Sequence, residues 1–236
     1  MQVVILAGGL GTRMRAYAPE IPKCLIPVAG RPFAELQLSW LSAQGASQVL
    51  YSIGYLGDQI RSFIGDGSRW NLQVRYVDEG LDLRGTAGAL RLALDLDLLE
   101  DRFLVLYGDS YLTVDLSQVD TAHRQGRFPA LMTVFRNDGR WEESNAAFDG
   151  ARVTRYEKHA ADPSPDMRFV DYGLSALSTR LIEQQIPPDT ASDLAALFGE
   201  LSLQGRLGGF EVHQRFYEIG SPEGLRDLEL LLSPPG

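Results

Sequence analysis

Cysteine is almost missing from this chain: among 236 residues there is one, Cys24, which excludes a disulfide framework. Histidine is scarce as well. His123, His159 and His213 are scattered without the spacing that zinc ligands require. The 22 lysines and arginines never gather into a run, and against 31 aspartates and glutamates they leave a net charge of −9, which argues against a nucleic-acid partner. No apolar stretch approaches the ~18 continuous residues of a membrane span. The chain starts a strand within two residues, with neither the basic n-region nor the cleavage site of a signal peptide. These absences predict a soluble, unexported protein of a reducing cytoplasm, with no membrane and no nucleic acid among its partners.

What is present is a core-forming composition, 44% hydrophobic, of a length that suits one large domain or one domain with a small lobe. Near the start stands "LAGGLGTRMRAYAPEIPK", Leu6 to Lys23, with three glycines, Gly8, Gly9 and Gly11, in four positions. Such a loop frees backbone N–H groups to approach a ligand closely, and that ligand is expected to be a small anion. A dinucleotide fingerprint beginning at Gly9 would need glycine where Met14 stands, and a Walker loop beginning at Gly8 fails at Arg13. The reading left is a phosphate loop whose cations follow the glycines: Arg13 with a planar fork, Lys23 with a compact charge. An ordinary strand-to-helix turn with a solvated Arg13 is the competing reading of the loop by itself.

Hydrophobic periodicity predicts alternating strands and helices through the first half. Strands are expected over 2–6, 48–53, 72–77 and 102–107, and helices over 32–44, 57–64 and 86–94. This rhythm implies a parallel or mostly parallel sheet with helices on both faces and ligands outside the carboxyl ends of the strands. Both "LAGGLGTR" and "YGDS" fall at such ends. Beyond Pro129 strands are expected over 130–135, 151–156, 169–177 and 208–213, with helices near 192–203 and from Pro222. The Pro-rich stretch 159–167 reads as a mobile flap rather than a domain boundary.

"LAGGLGTR", "PK" at Pro22–Lys23 and "IPVAGRPF" together resemble the signature of the sugar-1-phosphate nucleotidyltransferases, which join an NTP to a sugar 1-phosphate and release pyrophosphate. "RGTAGAL", "YGDS", "YEK", "DYGLSAL" and "YEIGSPEGL" follow in the family's order across nearly the whole chain. "PVAGRPF" and "GDSYLTVDL" look most like the heptose-1-phosphate guanylyltransferase branch, and "GTAGAL" is similar to the mannose-1-phosphate guanylyltransferase form. The resemblance implies a Rossmann-like three-layer α/β/α fold of GT-A-like type with a mostly parallel mixed central sheet. It implies a single domain with a small sugar-binding lobe, residues 1–115 being the nucleotide half and 116–236 the sugar-phosphate half.

It also implies roles. Leu6, Ala7, Gly8, Gly9, Gly11 and Thr12 would contact the nucleotide, with Arg13 on the β- and γ-phosphates and Lys23 near the α-phosphate. Asp78, Glu79, Gly85, Thr86 and Gly88 would form the base and ribose segment. Asp109 and Glu218 would hold Mg2+, the cation suited to a few carboxylates and phosphate oxygens. Glu218 replaces the family's usual aspartate. Tyr107, Gly108, Glu157, Lys158, Asp171 and Gly173 would face the sugar phosphate. Arg84 stands where the guanylyltransferase form has leucine, and Asp171 where asparagine is common, so base and sugar stay open. The function expected is a Mg2+-dependent enzyme, GTP favoured, making an NDP-sugar for a surface polysaccharide or glycosylated product. The alternatives are a transferase using UTP, dTTP or CTP, and a non-catalytic relative that binds nucleotide or sugar phosphate. The leucine-rich final helix would pack on the core or against a second copy, which leaves a homodimer open.

Overall fold

The computed structural model describes residues 1–9, 11, 14, 18–80, 82–137, 140, 143–158 and 164–232. Of the expectations above, Thr12, Arg13 and most of the 159–167 stretch lie outside the described residues. In chain order the elements are β1 (Gln2–Leu6), β2 (Pro27–Val28), β3 (Arg31–Pro32), α1 (Phe33–Ala43), β4 (Gln48–Ile53), α2 (Gly57–Ile64) and β5 (Gln73–Asp78). There follow α3 (Gly85–Asp95), β6 (Arg102–Tyr107), β7 (Ser110–Tyr111), α4 (Leu116–Gln125), β8 (Ala130–Arg136), β9 (Ala146–Phe148) and β10 (Val153–Tyr156). The chain ends with β11 (Phe169–Ser178), α5 (Thr179–Gln185), α6 (Leu194–Leu203), β12 (Leu207–Val212), β13 (Tyr217–Glu218) and α7 (Pro222–Leu232). The class is α/β with a mixed central sheet, as the alternation implies. No helix among the described residues is long and apolar enough to cross a membrane.

Two compact units share the chain. The first comprises Met1–Leu83, Leu106–Leu112 and the chain from Phe216 onward; the second comprises Arg84–Val105 and Thr113–Arg215. In the first, β1 pairs in parallel with β4 from Gln2↔Gln48 to Leu6↔Ser52, and β4 pairs in parallel with β5 from Gln48↔Gln73 to Ile53↔Asp78. β1 and β4 are short apolar runs because they are covered on both faces: Val3, Val4, Ile5, Leu50, Tyr51 and Ile53 are almost wholly buried. The parallel register brings three carboxyl ends to one level. α1 buries Phe33, Ala34, Gln37, Leu38 and Leu41 along one face, and Gly45, at φ +79°, follows its end.

The same unit is closed by the C-terminal helix. Met14, Ile26, Val28, Phe33, Ile219, Leu225 and Leu228 form one buried cluster, so α7 packs its Leu225–Leu228 face onto the short β2–β3 hairpin and the start of α1. Leu230 and Leu231 face outward. In the second unit β8 is central, antiparallel to β11 and parallel to β12, while β9 pairs with β10 and β11 antiparallel. A bulge interrupts β11 between Asp171 and Ser175, where Gly173 takes φ +88°. Asp115, Ser178 and Asp193 cap α4, α5 and α6 by accepting from backbone N–H groups.

Candidate active site

The carboxyl ends of β1, β4 and β5 meet with almost no spare room. Ala7 N donates to Ser52 O (2.9 Å) and Glu79 N donates to Ile53 O (2.9 Å). A Cβ on Gly8 would lie 2.7 Å from Glu79 Oε1 and 3.3 Å from the Ile53 carbonyl carbon, so a larger residue there would displace the Glu79 carboxylate. The Ser52 hydroxyl donates to Glu79 Oε1 (2.9 Å), which holds this carboxylate against the glycine loop. Asp78, its neighbour, is exposed; it pairs with Arg61 at 3.4 Å and accepts from Gly80 N. Ala7, Gly9, Gly11, Pro22, Lys23 and Tyr55 all line one small cavity, which places the described part of the loop beside the lysine.

Lys23 begins a short 3-10 turn, and its ammonium forms an ion pair with the Asp109 carboxylate, both side chains about one-fifth exposed. Asp109 sits in the tight turn between β6 and β7. Gly108 N donates to Leu6 O (3.0 Å), and a Cβ on Gly108 would come 2.9 Å from Ala7 Cβ, so this turn lies directly against the end of β1. On its other side the two-residue strands β7 and β13 pair antiparallel, Ser110 opposite Glu218, and Ile219 N donates to Asp109 O (3.0 Å). The Ser110 hydroxyl donates to Glu218 Oε1 at 3.5 Å. Asp109 and Glu218 thus stand on adjacent backbone although 109 positions separate them in sequence. Burial pushes the Cys24 thiol up to about 12, with the nearby Asp109 charge adding to the effect, so no thiolate contributes here.

The remaining expected residues lie in the second unit. Gly85 and Gly88 open α3, and a Cβ on either would strike backbone: Ser192 O at 2.5 Å and Thr190 O at 2.8 Å. Ala87 N and Gly88 N donate to Ser192 O, and the Thr86 hydroxyl donates to Asp193 while accepting from Leu194 N. What these glycines make room for is therefore the 190–192 segment. Arg84 pairs with Asp189 at 2.7 Å. At the bulge of β11, Asp171 accepts from Gly173 N (2.9 Å) and from the Tyr156 hydroxyl (3.2 Å), and burial pushes its carboxyl above the ordinary value. Glu157 is exposed and paired with Arg155; Lys158 follows it at the surface.

Three side chains that shape these clusters are not among the sequence expectations. Ser52 orients Glu79. Asn145 accepts from Asp171 N (2.9 Å) through its side-chain oxygen, fixing the start of the bulge. Gln37, 1% exposed, donates from its amide to Tyr107 O (3.0 Å) and Ser110 O (3.1 Å), the two carbonyls on either side of the Asp109 turn. Its signal was available: a glutamine on the stripe Phe33, Ala34, Leu38, Leu41, where an amphipathic helix otherwise carries apolar residues.

Residues 2–145 match the family model for nucleotidyl transferases. The chain is 34% identical over 143 residues to a UTP–glucose-1-phosphate uridylyltransferase of Synechocystis, covering 56% of this chain and 37% of that protein. It is 28% identical over 226 residues to a mannose-1-phosphate guanylyltransferase of Mycobacterium tuberculosis, covering 94% of this chain and 62% of the relative. The chain thus spans about half the length of these curated relatives. The structure of HddC from Yersinia pseudotuberculosis aligns with a TM-score of 0.80 at 24% identity, over 98% of this chain and 99% of that one, a likeness of fold.

Proposed function

The chain belongs to the nucleotidyl transferase family, and from that premise we propose that it joins an NTP, GTP by preference, to a heptose or hexose 1-phosphate, forming an NDP-sugar and releasing pyrophosphate. The observation that carries this reading is the meeting of the glycine loop, Lys23, Asp109 and Glu218 at one set of strand ends. In the reaction an oxygen of the sugar phosphate bonds to the α-phosphorus, and the bond from that phosphorus to the bridging oxygen of the β-phosphate breaks, its electrons leaving with pyrophosphate. Two polyanions must come together, so charge neutralisation and positioning supply most of the catalysis.

Each residue has a part in that task. Gly8 and Gly9 let backbone N–H groups approach the phosphates, and Lys23 supplies a point charge at the α-phosphate from beside the loop. Asp109 and Glu218 suit Mg2+ as a donor set. Among the described residues no group of three or more His, Cys, Asp or Glu forms a full protein cage, and Mg2+ favours one or two carboxylates completed by substrate phosphates and water. When bound, the ion would screen the phosphate charge between the two substrates. Glu79, held as an acceptor by Ser52, fits the adjacent N1–H and N2–H2 donors of guanine, which supports GTP. Lys158 and Asp171 would serve the sugar phosphate, the lysine on phosphate and the carboxyl on a hydroxyl.

The test is a pyrophosphate-release screen of GTP, UTP, dTTP and CTP against a panel of sugar 1-phosphates. Release that requires both substrates and is fastest with GTP supports the reading. Fastest release with another nucleotide moves the base assignment, and binding without release in every pair would establish the non-catalytic alternative.

A further inference from the structure

We propose that Gln37 is a positioning residue that fixes the turn presenting Asp109; the proposal rests on the catalytic reading of Asp109 above. Four backbone groups of the Tyr107–Ser110 turn are tied down, and they go to three different elements. Gly108 N bonds to β1, Asp109 O receives Ile219 N at the end of β13, and Tyr107 O and Ser110 O both receive the amide of Gln37 on α1. The first two ties are backbone to backbone and would survive most substitutions. The Gln37 ties alone run through a side chain.

The chemistry of that side chain is specific. Two buried carbonyl oxygens need donors, and a primary amide offers two from a single nitrogen. A turned amide would set its oxygen against those two carbonyls, and in the orientation observed the oxygen accepts from the Tyr51 hydroxyl at 3.5 Å. Tyr51 is itself wholly buried, and burial holds its hydroxyl protonated far above neutral pH, so the donor is constant. Glutamate at this position would set a carboxylate against two carbonyl oxygens, and leucine would remove the donor that Gln37 gives to each. In either case the turn loses its register between α1 and β13 while the rest of the sheet keeps its pairing. The carboxylate it carries then meets its partners off position, and misplacement on the scale of ~1 Å costs on the order of 100-fold in rate.

The experiment compares Gln37→Leu and the near-isosteric Gln37→Glu with Leu38→Ala, a buried neighbour on the same helix, by kcat and KM for pyrophosphate release and by thermal midpoint. Both Gln37 variants are expected to lose at least tenfold in kcat with nucleotide KM within about threefold. Leu38→Ala is expected to lower the midpoint as far or further and to keep kcat within threefold. A folded Gln37→Glu with kcat within twofold of the parent overturns the proposal. So does a Leu38→Ala variant whose kcat falls as much as that of Gln37→Leu, because the loss would then follow stability alone. Asp109→Asn is measured alongside: if it keeps the parent kcat, the catalytic reading of Asp109 fails first, and the role of Gln37 falls with it.

Discussion

Gly224→Ala separates the geometry of this site from its stability. Gly224 lies in the first turn of α7, where alanine would ordinarily stabilise a helix by about 1 kcal/mol over glycine. Here a Cβ would sit 2.1 Å from Glu218 O, about 1 Å short of the closest approach a methyl group tolerates, with Ser221 Oγ a further 3.4 Å neighbour. Neither side yields easily. α7 is pinned by Leu225 and Leu228 in the buried cluster, and β13 is pinned by its pairing with β7 and by the Ile219 to Asp109 bond. Overpacking of this kind costs about 1–3 kcal/mol, and the helix gain offsets about 1 of it. The net loss is near 1 kcal/mol, a fall of about 2–4 °C in midpoint for a chain of this length. The strain falls on the carbonyl of Glu218, so the carboxylate moves relative to Asp109 and kcat should drop by tenfold or more, far beyond what the stability change explains. Calorimetry and a pyrophosphate-release assay on the same preparation check both numbers. A variant with a raised midpoint and kcat within twofold of the parent would show that Gly224 is not needed for close approach and that the position of Glu218 does not govern the reaction.

Lys158→Ala should raise KM for the sugar 1-phosphate by about tenfold, the worth of one charge-assisted hydrogen bond, while KM for the nucleotide stays within twofold; equal effects on the two substrates would reject its place on the acceptor side. Asp171 predicts a pH dependence. Burial raises its carboxyl above the ordinary 3.8, so the folded chain holds this proton more tightly than the unfolded one; the stability it contributes is complete below 3.8 and is lost as pH rises through the elevated value. Asp171→Asn has no proton to lose, so its thermal midpoint relative to the parent should be higher at pH 8 than at pH 4, and the opposite trend would contradict the buried-carboxyl account.

Three strands could be read directly because they are short apolar runs between breakers: 2–6, 48–53 and 102–107 coincide with the observed β1, β4 and β6. α4 and α5 were not anticipated. α4 buries only Leu116, Val119 and His123 among polar residues, and α5 is a seven-residue segment without a sustained period. The two-residue strands β7 and β13 lie below what any pattern can resolve, and they are what joins Asp109 to Glu218; only the resemblance could put those carboxylates together beforehand. Gly85 and Gly88 show the converse difficulty, since a glycine-rich segment looks the same whether it makes room for a ligand or for the chain's own 190–192 backbone. One compositional signal had more to offer. The chain has two lysines, Lys23 and Lys158, and every other basic residue is arginine. In the proposed reaction both lysines would meet phosphate as compact point charges, whereas arginine serves the surface pairs with Asp78, Asp95, Asp120 and Asp149.

The most direct measurement is pyrophosphate release by the parent protein and by Asp109→Asn, each given its preferred NTP and sugar 1-phosphate with Mg2+. The account predicts release by the parent only when both substrates are present, and a loss of at least 100-fold in the variant with its thermal midpoint close to the parent's. Equal release by the two proteins would contradict it, because the turn joining the glycine loop, Lys23 and Glu218 would then have no part in the chemistry.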